Sequence, residues 1–110
     1  MGLMINTTFA IDGSIRTEFL DWLRRSFIPE AMAHGATAVV ASRVIGQMID
    51  GPHDDEAEAY ACQFKVASRE DAAGWTDYMA ESLLPQRHAA WGDRFLPFTT
   101  FMEIVDTDVR

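Results

Sequence analysis

Residues 15–35 read IRTEFLDWLRRSFIPEAMAHG, and residues 75–92 read WTDYMAESLLPQRHAAWG. Both stretches are apolar at helical spacing, and both carry a proline followed by a histidine and a glycine: His34 and Gly35, then His88 and Gly92. Trp22 stands seven places before Pro29, and Tyr78 seven places before Pro85. The prolines are 85 − 29 = 56 apart in a chain of 110 residues, so the sequence divides into two similar halves. That repeat speaks to architecture rather than to a reaction.

The first stretch places Ile15, Phe19, Trp22 and Leu23 on one stripe, widened by Leu20 and Phe27, with Arg16, Glu18, Asp21, Arg24 and Arg25 on the rest. Such a stripe belongs to an amphipathic helix lying on a flat apolar surface. Pro29 lacks an N–H and disfavours helical geometry at Ile28, so a kink or restart is expected there. Gly35 is the expected C-terminal cap. In the second stretch Ala72, Trp75, Met79 and Leu83 mark the buried stripe, with Ser68-Arg69-Glu70-Asp71 as its capping sequence.

Around these helices the period changes to two. Residues 3–11 alternate Leu3, Ile5, Thr7, Phe9 and Ile11 against Met4, Asn6, Thr8 and Ala10, the pattern of a half-buried strand. Asp12-Gly13-Ser14 supplies the turn into the helix. Residues 37–49 read as a second strand with Gly46 as a bulge. Residues 59–67 form the third, with Tyr60, Cys62, Phe64 and Val66 inward, and residues 95–105 the fourth. Matching Ile5 to Tyr60 gives 60 − 5 = 55, nearly the spacing of the prolines.

The order β-α-β-β-α-β in two related halves is the ferredoxin-like pattern: a single α+β domain over residues 1–110, with two helices on one face of a four-stranded antiparallel sheet. The opposite face carries Asn6, Thr8, Ala10, Ala61, Gln63 and Lys65, and the outer strands add several of Val39, Val40, Ile45, Phe98, Phe101 and Met102. A face so mixed in polarity suits pairing with a second copy across a two-fold axis, closing a dimeric α+β barrel, so a homodimer is expected.

Composition narrows the partners. The net charge is −8, with four Arg against seven acids in residues 1–55 and five basic residues against ten acids in residues 56–110. No basic stripe serves a phosphate backbone or an anionic membrane, so neither nucleic acid nor membrane is an expected partner. No apolar run approaches the ~18 residues of a membrane span. The alternating start MGLMINTTFAID is a strand rather than a signal peptide, and a cytoplasmic protein is expected.

Taken together, these segments resemble the bacterial domain-of-unknown-function family 4286. The resemblance covers nearly the whole chain. It rests on the first strand ending in Asp12, on Trp22-Leu23 and Ile28-Pro29-Glu30, and on residues 60–64. It continues through Leu84-Pro85, Trp91-Gly92, Arg94-Phe95 and Phe98. It implies the dimeric α+β barrel fold and carries no activity with it. Relatives often bear histidine where this chain has Phe27 and Leu83, so any chemistry of those histidines is absent here.

Five polar-tipped residues are the candidate lining of a helix–sheet cleft for a small apolar or aromatic ligand: Trp22, Ser26, Arg43, Tyr60 and Tyr78. Aromatic residues at helical spacing are more often core. His53, Asp54, Asp55, Glu56 and Glu58 gather oxygen ligands in one loop, but their spacing fits no calcium loop, and a solvated hairpin is the simpler account. His34 and His88 suit the capping of helix ends. Cys62 is expected to be a buried structural thiol. No metal site and no cofactor are expected. Three functions follow: a homodimeric small-molecule binder using the cleft, a cofactor-free oxygenase or isomerase of the dimeric-barrel type, or a structural protein with a filled core.

Overall fold

A computed structural model describes residues 2–45 and 57–106. Strand β1 (Leu3–Asp12) leads through a turn at Gly13–Ile15 into helix α1 (Arg16–Trp22), and α2 (Ile28–Ala33) continues the same arm. Strands β2 (Thr37–Val44) and β3 (Ala57–Val66) follow. The second arm is α3 (Arg69–Tyr78) and α4 (Leu84–Trp91), and a turn at Gly92–Arg94 leads into β4 (Phe95–Glu103). The sheet order is β2-β3-β1-β4, with every neighbouring pair antiparallel. This is the ferredoxin-like arrangement anticipated from the repeat.

Side chains alternate strictly along β1, and Leu3, Ile5, Thr7, Phe9 and Ile11 are buried beneath the helices. Register carries that face onto Tyr60, Cys62, Phe64 and Val66 of β3 and onto Phe95 of β4. Thr7 is the polar member of this layer, and its hydroxyl is satisfied by that of Thr99 at 2.9 Å. The helices close the layer with Ile15, Phe19, Trp22, Leu23, Phe27 and Ala31 from one arm and Ala72, Trp75, Met79 and Leu83 from the other.

Both arms run through their prolines without breaking. Between α1 and α2 the chain widens into a π-helical turn at Leu23–Phe27, and between α3 and α4 it does so again at Met79–Leu83. The two turns are 79 − 23 = 56 residues apart, the spacing of the prolines. The kink or restart expected at Pro29 takes the form of a local change of pitch, since a residue bonded five back leaves room for a ring that would collide with the carbonyl four back.

The helix ends follow the expected chemistry. Asp12 accepts from Ser14 N at 2.9 Å, and Ser68 accepts from Asp71 N at 3.1 Å. At the end of α2, Ala36 N reaches Ala31 O and Gly35 N reaches Met32 O, both at 3.0 Å, the paired bonds of a Schellman motif. Gly35 supplies the left-handed residue it needs, with φ 98°.

Two details of β2 depart from expectation. The strand ends at Val44, and Gly46, the expected bulge, lies outside the described residues. An irregularity that was not expected falls between Thr37 and Val40, where Ala38 takes φ 52°. An extra residue there lets the edge strand leave Gly35 and still meet β3 in register.

Among the described residues nothing covers the sheet face away from the helices. Cross-strand register places Val40, Val44, Leu96, Phe98 and Met102 on it, and Phe98 is 60% exposed, Leu96 56% and Val40 54%. Phe101, grouped with this face from the sequence, pairs with Ile5 and so belongs to the helix side of the edge strand. Val39 likewise packs against the core.

Candidate functional site

The five residues read as a cleft lining are distributed among four environments. Trp22 sits in a filled aromatic layer, with ring centroids 5.5 Å from Phe27, 5.8 Å from Phe9 and Phe95, and 5.9 Å from Trp91. Several of these rings meet edge to face, the arrangement that π quadrupoles favour. Ser26 lies half-buried in the first π-helical turn.

Tyr78 stacks on His34 at 4.6 Å, near the Glu30 carboxylate. Burial, then this carboxylate, push the Tyr78 phenol up. The His34 Nδ1 lies 2.9 Å from the Glu30 carbonyl, so the imidazole caps its own helix end as expected. His88 contacts Phe95 instead, and its ring belongs to a separate part of the molecule.

Arg43 and Tyr60 do come together, cross-strand, beside a residue the sequence placed in a solvated loop. Glu58 is in β3, opposite Ile11, and is only 8% exposed. The Arg16 guanidinium donates to it through Nε at 2.9 and 2.7 Å and through Nη2, and the Tyr60 hydroxyl donates to Glu58 Oε1 at 2.6 Å. The Arg16 hydrogen bonds hold the Glu58 carboxyl down at about 2, against the opposing effect of burial. Tyr60 is pushed up by burial and by the neighbouring carboxylate. A carboxylate so acidic is a poor base near neutrality, and a phenol raised in pKa is a poor acid. The trio ties the start of α1 to β3. The other members of the acidic run, His53, Asp54, Asp55 and Glu56, lie outside the described residues.

Among the described residues no group of three or more His, Cys, Asp or Glu side chains is placed to hold a metal ion. Cys62 is buried, and desolvation raises its thiol to about 11.

A cleft lies at the other end of the pseudo-repeat. A groove of about 520 Å³ runs between α3 and the β1–β4 edge. Arg69, Ala72, Ala73, Thr76 and Asp77 line one side, and Leu3, Phe101, Met102 and Glu103 the other. Its origin is a break in the repeat. At the helix offset of 56, Ala72, Ala73 and Thr76 stand where the first arm has Arg16, Thr17 and Leu20, and at the strand offset of 55 Leu3 stands where β3 has Glu58. One half fills this corner with the Arg16–Glu58 pair, and the other leaves it to small side chains.

Thr76 turns its hydroxyl back onto Ala72 O at 2.8 Å, keeping the α3 wall low. The Arg69–Glu103 ion pair, 3.2 Å long, crosses the rim. Beyond it a second hollow of about 480 Å³ shares Leu3, Arg69 and Glu103 and extends to Ile104 and Val105. None of these residues was read from the sequence as part of a site: Leu3 and Ala72 were placed on buried faces, Arg69 in a capping sequence, and Phe101 and Met102 on the open face. The available signal was the run of small residues in the second arm at positions that are large in the first.

The family described as Domain of unknown function (DUF4286) matches residues 2–105. The chain belongs to this family. Comparison with curated proteins gives no match. Among solved structures, this DUF4286 chain is similar to a dimeric ferredoxin-like protein from an uncultured marine organism, at 13% identity and a TM-score of 0.69, covering 97% of this chain and 99% of that one. A second dimeric ferredoxin-like protein from an uncultured marine organism matches at 16% identity and a TM-score of 0.63, with 97% and 99% covered. HapK from Hahella chejuensis matches at 11% identity and a TM-score of 0.64, covering 100% and 98%. At such identities the likeness concerns the fold.

Proposed function

We propose that this DUF4286 chain is a homodimeric small-molecule-binding domain whose ligand occupies the groove between α3 and the β1–β4 edge. The groove carries this reading: its volume falls in the range of small-ligand sites, and apolar walls with a few polar groups at the rim are the usual composition of such sites. Trp22 and Tyr60 then serve as packing, while Ser26, Arg43 and Tyr78 stand apart from the ligand.

Pairing is supported by the uncovered sheet face, where Val40, Leu96 and Phe98 are each more than half exposed. Large apolar side chains left exposed on both edge strands of one sheet face suit an interface. Two solved structures of the same fold are described as dimeric.

Native mass spectrometry and amide NMR test the two parts. The wild type is expected to be a dimer, and Phe98→Asp a folded monomer; a wild-type monomer would end the pairing. Small aromatic fragments are expected to shift amides within residues 69–77 and 101–103. Shifts elsewhere, or none, would remove the groove as a binding site. Ala73→Trp, which fills the groove from an exposed position, should abolish the response while leaving the fold intact.

A further inference from the structure

We propose that the groove takes an organic cation, an ammonium group carried on a compact apolar or aromatic body; this rests on the groove being the binding site. Three charged side chains line it: Arg69, Asp77 and Glu103. Arg69 and Glu103 are bonded to each other across the rim, so each answers the other's charge. Asp77 has no hydrogen-bond or ion-pair partner among the described residues. The lining therefore presents one uncompensated carboxylate.

The position of that carboxylate fits the rest of the wall. Asp77 is eight residues beyond Arg69 on one helix, about 12 Å along its axis. A cation bound at Asp77 thus sits away from the guanidinium. Phe101 exposes nearly half of its surface on the facing strand, and an aromatic face attracts an ammonium group. Leu3 and Ala72 supply the apolar surface for the body of the ligand. The net charge of −8 draws cations and disfavours anions over the whole molecule.

Phenethylamine, 2-phenylethanol and 3-phenylpropionate form a cationic, neutral and anionic set on one aromatic body. Each would be titrated into the wild type and Asp77→Asn, following the amides of residues 69–77 and 101–103. The amine should bind about threefold more tightly than the alcohol, the worth of one exposed ion pair. The acid should bind more weakly than either. Asp77→Asn should erase the amine's advantage and leave the alcohol unchanged. So should salt at about 1 M, where screening shortens to about 3 Å. An alcohol or acid binding as well as the amine, or an advantage that survives Asp77→Asn, would overturn the cation while keeping the groove. No response to any of the three would overturn the groove, and the cation with it.

Discussion

Ile28 donates its backbone N–H to the carbonyl of Leu23, five residues back and one place before Pro29. Leu84 repeats the bond with Met79, one place before Pro85. A proline inside a regular helix removes a donor and collides with the carbonyl four residues earlier. The wider turn relieves the collision and passes the strain to a segment whose buried members, Leu23 and Phe27 in one arm and Met79 and Leu83 in the other, are held by the core.

If the wide turn has already absorbed the proline, removing the ring gains little. Pro29→Ala should change stability by less than about 1 kcal/mol, against the ~3 kcal/mol of an unrelieved proline in a helix interior. Urea unfolding of the two proteins measures the difference. A stabilisation near the larger figure would mean that the helix remains strained at Pro29.

The strands, the helix stripes and the caps at Asp12, Ser68 and Gly35 were legible because local chemistry decides them. Alternation in β1 and the period of Ala72, Trp75, Met79 and Leu83 each report burial within a few residues. The π-helical turns were not legible, because a backbone bond shifted by one residue leaves side-chain spacing almost unchanged. Glu58 was misplaced for a different reason. It follows a run of acids, and its partner Arg16 is 42 residues away. The groove arises from what Ala72 and Ala73 lack, and an absence becomes visible only when Leu3 and Phe101 are brought opposite by the fold.

Gly35 holds φ 98°, and a β-carbon there would also meet Asp71 Oδ2 at 3.4 Å. Gly35→Ala should cost about 1–2 kcal/mol, the penalty for an L-residue in left-handed geometry. The unfolding midpoint should fall, with the denaturant slope unchanged. An unaltered midpoint would show that another residue can take over the turn.

Cys62 is buried beneath the helices, and loss of hydration raises its thiol to about 11. The thiolate is the reactive form, so a disulfide reagent at neutral pH should label the native protein far more slowly than the unfolded protein. Adding denaturant should restore the rate of an ordinary thiol. Rapid labelling of the folded protein would place the strand's inner face in contact with solvent.

The Arg16–Glu58 pair sets a pH dependence whose direction is determined. Glu58 ordinarily titrates near 4.5, and in the folded chain the Arg16 hydrogen bonds, helped by the Tyr60 hydroxyl, bring it to about 2. A carboxyl lowered on folding binds fewer protons in the native state than in the unfolded state, so its contribution is fully present above the unfolded value. It is lost as pH falls from about 4.5 through about 2. Glu58→Gln keeps an oxygen for the Tyr60 hydroxyl and cannot titrate. It should be less stable than the wild type at neutral pH, because Arg16 loses its charged partner, and its stability should fall less steeply across the acid window. Unfolding midpoints at a series of pH values compare the two directly, with the remaining carboxylates common to both. The curves should converge toward the acid end. Parallel curves would mean that Glu58 titrates alike in the folded and unfolded chain, and that Arg16 does not hold it.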